Sequence, residues 1–189
     1  YFENGIKPSK EIAGILCAAV LSDTLKFKSP TNTYADRAMA EKLAEIAGID
    51  IDGFSARMFE AGSALDGMSP DEILNYDFKD YTAGQYRFGV GQVNSYTPQN
   101  PEKIQDDLLR CMQAFLAGNN YDLLLLMMTD IVNEGSFLLF AGDDGALIGK
   151  AFGVAPDRNS VYLNGIVSRK KQVVPRLINA LKDMTGQRV

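Results

Sequence analysis

Three consecutive cations lie in the segment SRKKQVVPRL, which covers residues 168–177. Arg169, Lys170 and Lys171 follow a predicted strand and precede a helix that Pro175 is expected to open. Cations oppose the dipole at a helix start, whereas the free backbone N–H groups there attract anions. Arginine offers phosphate oxygens a planar fork, and lysine offers a point charge. The segment therefore predicts a site for a compact anion, with a solvated surface run as the alternative.

A second candidate is Asp23, in the segment LSDTLKFKSPT of residues 21–31. An aspartate at a helix C-terminus does not stabilise the helix, because that end of the dipole favours cations. Two interpretations stay open: a turn-forming aspartate that bonds its own backbone, or a ligand of a hard cation. The neighbouring side chains of Thr24, Lys28 and Ser29 would suit a site for a metal ion and a phosphate.

The composition limits the other kinds of chemistry. The 189 residues carry a formal net charge of −5 and a pI of about 4.8, which argues against binding to nucleic acid or to an anionic membrane. The chain contains no histidine, so imidazole catalysis and imidazole metal ligands are excluded within it. The longest apolar run, LLLLMM at 123–128, is too short to span a bilayer.

The cysteines indicate the cellular compartment, and the first residue indicates that the chain is part of a longer protein. Cys17 and Cys111 lie far apart in apolar helical patterns, which is typical of reduced thiols in a cytoplasmic protein. No signal peptide is recognisable, and the chain starts at Tyr1 rather than at methionine. We interpret this start as that of a fragment of a longer protein.

The first third of the chain has only helical patterns. Ser9 is expected to cap an apolar helix through Leu21 that should be largely buried, and Thr33 with Asp36 predicts a capping box for a helix ending at Gly48. A third helix is predicted over 51–62. Composition changes over residues 63–69, where we place a domain boundary, and Ser69 followed by Pro70 begins a new helix.

The remainder alternates between strand and helix patterns. Strands are predicted over 85–96, 121–131, 135–142 and 160–167, and helices over 101–118, 143–153 and from Pro175 to about Met184. Gly118 is expected to close the helix at 101–118. The segment GVGQV at 89–93 does not continue as a dinucleotide fingerprint, so its glycines indicate a bulge or close backbone packing. This order predicts a mixed-sheet α/β layer structure.

Taken together, LSDTLKFKSPT and SRKKQVVPRL, with DFKDY at 77–81 and GVGQV between them, strongly resemble the family II manganese-dependent inorganic pyrophosphatases of the DHH phosphoesterase superfamily. The resemblance covers the whole chain and only the C-terminal portion of that family. It implies an α/β fold in which residues 1–63 are the helical tail of a DHH domain, residues 64–68 are a linker and residues 69–189 form a mixed-sheet DHHA2-type substrate-binding domain.

The resemblance also implies roles for individual residues. Asp23 would be the one metal ligand retained in this chain, for Mn²⁺ or Co²⁺, with Mg²⁺ arriving on the substrate. Lys79, Arg169 and Lys170 would contact pyrophosphate, although a lysine such as Lys79 is by its local pattern usually a solvated strand residue. The same signature includes residues that we assign to support: Ser168, Lys171 and Gln172.

The implied activity is metal-assisted hydrolysis of diphosphate to two phosphates. The other metal ligands of the family lie in upstream motifs that this chain lacks, so we expect the chain alone to be inactive. The parent protein is expected to be a homodimer, with or without inserted regulatory domains. The alternatives are an exopolyphosphatase of the same superfamily and a non-catalytic phosphate-binding module.

Overall fold

The computed structural model describes residues 2–62, 67–95, 104–142 and 145–186, and the chain divides into two units, Tyr1–Gly62 and Ser63–Val189. Of the predicted linker over 64–68, residues 64–66 lie outside the described residues. The assignment of the first unit to a DHH domain and of 64–68 to a linker stays a prediction. Within the described ranges no helix is both long and apolar enough to cross a membrane.

The first unit consists of helices whose ends follow from local capping. After a 3-10 turn at Phe2–Asn4 come α1 (Lys10–Asp23), α2 (Tyr34–Ala47) and α3 (Ile51–Gly62). Ser9 accepts a hydrogen bond from the Ile12 backbone N–H at 3.3 Å, and Thr33 and Asp36 form the reciprocal capping box. Gly48 ends α2 in the left-handed region, with φ of 67°. The predicted helices and caps are confirmed.

The expectation that α1 is largely buried is wrong. Its buried residues are Ala13, Cys17 and Leu21, which recur every four positions and face α2 and α3. Ile12 and Ile15 lie on other faces of the helix and are 37% and 66% exposed. The apolar residues of α1 lie on most sides of the helix. Within the described residues of the first unit, α2 and α3 cover only one of these sides.

The second unit is a five-stranded mixed sheet with helices on both faces. Its elements are α4 (Pro70–Asn75), β1 (Phe78–Ala83), β2 (Tyr86–Ser95), α5 (Gln105–Asn119), β3 (Leu123–Asp130), β4 (Gly135–Ala141), α6 (Ala146–Phe152), β5 (Ser160–Asn164) and α7 (Val174–Thr185). The strand order is β1-β2-β3-β4-β5, with β2 and β3 parallel and the other pairs antiparallel. The predicted mixed-sheet α/β architecture is confirmed.

The core lies on both faces of β3, because every residue of this strand is buried. Leu123, Leu125 and Met127 pack in a cluster that includes residues of α6 and α7. Leu124 and Leu126 point to the opposite face and pack with residues of α4 and α5. A strand buried on both faces is continuously apolar, which explains the run LLLLMM.

Several boundaries differ from those predicted. The helix α5 continues past Gly118 and is closed by Asn120, which adopts a left-handed φ of 53°. The strand β5 ends at Asn164, three residues before its predicted end. Strand β1 is absent from the predicted order of elements, although the pattern around Lys79 is typical of a solvated strand, and its partly exposed edge position explains the weak apolar pattern. The glycines of GVGQV mark close packing as predicted, since a Cβ at Gly91 would lie 2.6 Å from the Leu74 carbonyl oxygen.

Candidate anion-binding site

The three cations lie on a π-helix that joins the sheet to α7. This π-helix spans Arg169–Val173 and runs directly into α7, with Ser168 as its N-cap. The Ser168 hydroxyl accepts a hydrogen bond from the Lys171 N–H at 3.3 Å, and its carbonyl accepts one from the Val173 N–H at 3.2 Å. Such wide turns are rare and recur at functional sites. We call residues 165–173 the cationic segment.

Arg169 is buried, with 9% of its surface exposed. Its Nη1 donates to the backbone carbonyls of Asp77 and Val90, the latter at 3.0 Å. Its Nη2 donates to Asp77 Oδ2 at 2.9 Å. These bonds use three of the five guanidinium N–H groups and join the cationic segment to the start of β1 and the middle of β2.

Asp77 also lies close to Lys79, which is another residue predicted to bind the anion. The Lys79 ammonium lies 3.9 Å from Asp77 Oδ1, and the lysine side chain is 62% exposed. Lys79 and Arg169 therefore share one carboxylate. Lys170 and Lys171 follow Arg169 in the chain and have exposed side chains. The cationic segment thus has one fixed guanidinium and two exposed ammonium groups, and the ammonium group of Lys79 on β1 lies beside the carboxylate that Arg169 binds.

Gln172 fixes the turn that precedes the cations. Its Oε1 accepts hydrogen bonds from the backbone N–H groups of Val167 and Ser168, both at 2.9 Å. Its Nε2 donates to the Gly165 carbonyl at 2.7 Å. Three peptide groups with no partner in a regular ladder are thereby satisfied by one side chain, which keeps the loop in one conformation.

Polar side chains of the sheet also form hydrogen bonds to the turn that precedes the cations. The sequence patterns did not predict these contacts. The buried Ser136 hydroxyl donates to the Ile166 carbonyl at 2.6 Å. Gln92 Nε2 lies 3.4 Å from the Val167 carbonyl oxygen and 3.1 Å from the Thr129 hydroxyl. The available signal was the presence of hydroxyl side chains inside strands that are otherwise apolar, because such groups need buried partners.

Asp23 lies in the first unit, as the exposed last residue of α1. The three residues Leu25, Lys26 and Phe27 then adopt left-handed φ values of 48°, 54° and 67°. The buried Thr24 hydroxyl supports this turn, since it donates to the Val20 carbonyl at 2.7 Å and accepts from the Phe27 N–H at 3.2 Å. Asp23 and the cationic segment therefore belong to different units.

The described residues do not form a metal centre by themselves. Among them no group of three or more histidine, cysteine, aspartate or glutamate side chains is placed to hold a metal ion. Asp23 supplies a single carboxylate, whereas a two-metal site needs several ligands around each ion.

Comparison with known proteins places the chain in a family. The profile of the DHHA2 domain matches residues 56–180. The chain belongs to the DHHA2 domain family. This match includes α4, the whole five-stranded sheet and the cationic segment, and it confirms the resemblance drawn from the sequence motifs.

Relatives of this DHHA2 domain chain carry the names of pyrophosphatases. It is 41% identical to the manganese-dependent inorganic pyrophosphatase of Bacillus subtilis, over 97% of the chain and 59% of that protein. It is 45% identical to the cobalt-dependent inorganic pyrophosphatase of Clostridium perfringens, over 94% of the chain and 32% of that protein. The chain thus spans less than two thirds of the length of either relative.

A solved structure has the same fold. A candidate family II inorganic pyrophosphatase of Methanococcus jannaschii superposes with a TM-score of 0.82 and 41% sequence identity. The match covers 93% of this DHHA2 domain chain and 57% of the other chain.

Proposed function

We propose that this chain is the C-terminal part of a manganese- or cobalt-dependent inorganic pyrophosphatase, which hydrolyses diphosphate to two phosphates. The observation that carries the proposal is the identity of 41% and 45% to relatives of that name over more than nine tenths of the chain. The cationic segment supports it, since a fixed guanidinium beside exposed ammonium groups suits a compact, highly charged anion.

In this proposal Arg169, Lys170 and Lys79 contact the oxygens of pyrophosphate. Arg169 would present its two remaining N–H groups from a position held by Asp77 and Val90. The exposed lysines would add point charges that neutralise negative charge as a phosphoryl group is transferred. Ser168, Lys171 and Gln172 would support the turn, Ser168 as the cap of the π-helix and Gln172 through its three peptide contacts.

Asp23 is the metal ligand that we assign to this chain, for Mn²⁺ or Co²⁺, with Mg²⁺ accompanying the substrate. The other ligands would come from residues that the longer relatives have beyond the span of this chain. The chain alone is therefore expected to lack turnover. We further propose that the parent is a homodimer in the cytoplasm and binds neither nucleic acid nor membranes. The two cysteines, Cys17 and Cys111, are both free thiols, which is the usual state of cysteines in a reducing compartment.

Calorimetric titration of this chain with pyrophosphate in metal-free buffer tests the anion site. We expect Lys170→Ala to weaken binding about tenfold or more, because it removes a charge-assisted hydrogen bond. Lys182→Ala is the matched control, since Lys182 lies at the other end of α7, twelve residues and about 18 Å further along. Equal affinities of the wild type and Lys170→Ala would remove Lys170 from the site.

A further inference from the structure

We propose that Asp77 is a specificity-determining residue of the anion site: its carboxylate is an internal counter-charge to Arg169 and Lys79 that lowers the affinity of the site for phosphate anions. The inference rests on the proposed function, because it concerns the same anion. An anion bound by Arg169 and Lys79 would have to share these cations with Asp77.

The geometry places the Asp77 carboxylate on two cations at once. Oδ2 lies 2.9 Å from Arg169 Nη2, and Oδ1 lies 3.9 Å from the Lys79 ammonium. The Asp77 side chain is 46% exposed, so its charge also reaches the solvent from which an anion would approach. A phosphate oxygen bound to either cation would therefore lie only about 6 Å from a like charge.

The carboxylate charge is not needed to keep Arg169 in place. Nη1 of Arg169 is held by two backbone carbonyls, those of Asp77 and Val90, which no side-chain substitution removes. The Asp77 carbonyl is itself fixed, because it also accepts a hydrogen bond from the Gln92 N–H at 3.1 Å. In Asp77→Asn the amide oxygen could still accept from Nη2. We therefore expect the substitution to remove the charge while the two backbone carbonyls keep Nη1 of Arg169 in place.

The sign and size of the effect follow from Coulomb's law. One negative charge about 6 Å from a pyrophosphate of about three negative charges, at high dielectric and physiological salt, corresponds to roughly a three- to tenfold change in Kd. The repulsion scales with the charge of the ligand, so the change is smaller for inorganic phosphate than for pyrophosphate. It is also screened by salt, since the Debye length falls to about 3 Å at 1 M.

The experiment is calorimetric titration of the full chain with pyrophosphate and, separately, with inorganic phosphate. We expect Asp77→Asn to bind pyrophosphate about three- to tenfold more tightly than the wild type, with a smaller gain for phosphate and little gain at 1 M salt. Asp183→Asn is the matched control. It makes the same change in net charge near the end of α7, nine residues and about 14 Å from the start of that helix.

The possible outcomes distinguish failure of the role of Asp77 from failure of the proposed function. Unchanged or weaker binding of pyrophosphate by Asp77→Asn, together with weaker binding by Lys170→Ala, overturns the role of Asp77 and leaves the proposed function standing. An equal gain in Asp183→Asn also overturns it, because the effect would then come from net charge. Absence of measurable binding by every variant, including Asp77→Asn, overturns both. A thermal unfolding curve that matches the wild type verifies that Asp77→Asn is folded.

Discussion

At the scale of single residues, the backbone that follows Asp23 is strained, and the residue types in this turn do not predict the strain. Leu25, Lys26 and Phe27 are all left-handed, although none is glycine, and each such residue costs about 1–2 kcal/mol. At Lys26 we expect glycine to be more stable than alanine by about 1 kcal/mol, since both variants lose the ion pair with Asp52. Urea unfolding followed by circular dichroism measures the difference.

The control for this prediction lies in a regular helix. Lys42 is exposed within α2, where glycine is less stable than alanine by about 0.8–1 kcal/mol. The order of the glycine and alanine variants should therefore reverse between positions 26 and 42. Alanine as the better residue at both positions would show that the left-handed turn carries no strain.

Some residues of the candidate site could be predicted from the sequence, and others could not. The run of cations was recognisable because its members are adjacent, and the motif identified Lys79. Asp77 is not recognisable as a partner of Arg169, because 92 residues separate them and they become neighbours only where the cationic segment packs against β1 and β2. Local patterns report the type and spacing of residues, whereas the shared carboxylate is a consequence of tertiary structure.

At the scale of elements, three peptide groups of the cationic segment depend on the side chain of Gln172 for hydrogen bonds. Gln172→Ala would leave the N–H groups of Val167 and Ser168 and the carbonyl of Gly165 without this partner. We expect a loss of about 1–3 kcal/mol in the free energy of unfolding, measured by urea titration. Gln113→Ala, on the exposed face of α5, is the control and should change stability by less than about 0.5 kcal/mol. A similar small effect at Gln172 would mean that water replaces its contacts.

The helices with strong caps were predictable as elements, and the segment that carries the cations was not. Ser9, Thr33 and Ser69 set helix starts through bonds within three residues, so the sequence contains the whole signal. The π-helix depends instead on distant groups, since Arg169 is fixed by β1 and β2. Its extra residue per turn has no local signature, and the same residues predict an ordinary loop before α7.

At the scale of the whole molecule, the residues assigned to the proposed reaction are divided between two units. Asp23 lies in the unit Tyr1–Gly62, and the cations lie in the unit Ser63–Val189. In the first unit, Ile15 of α1 is 66% exposed, and the chain spans 59% of the length of the Bacillus subtilis relative. The proposed metal ligand and the proposed anion contacts are thus assigned to different units of this chain.

That separation gives a prediction for the isolated chain. With Mn²⁺ or Co²⁺ and pyrophosphate, we expect binding without release of phosphate, because one carboxylate cannot hold the metal ions that activate water. A colorimetric phosphate assay measures turnover, with the full-length Bacillus subtilis relative as the positive control. Phosphate release that depends on Mn²⁺ and is lost in Asp23→Asn would contradict the prediction, since the chain would then assemble a metal centre from its own residues. Calorimetry on the same samples separates a chain that binds without turnover from one that does not bind.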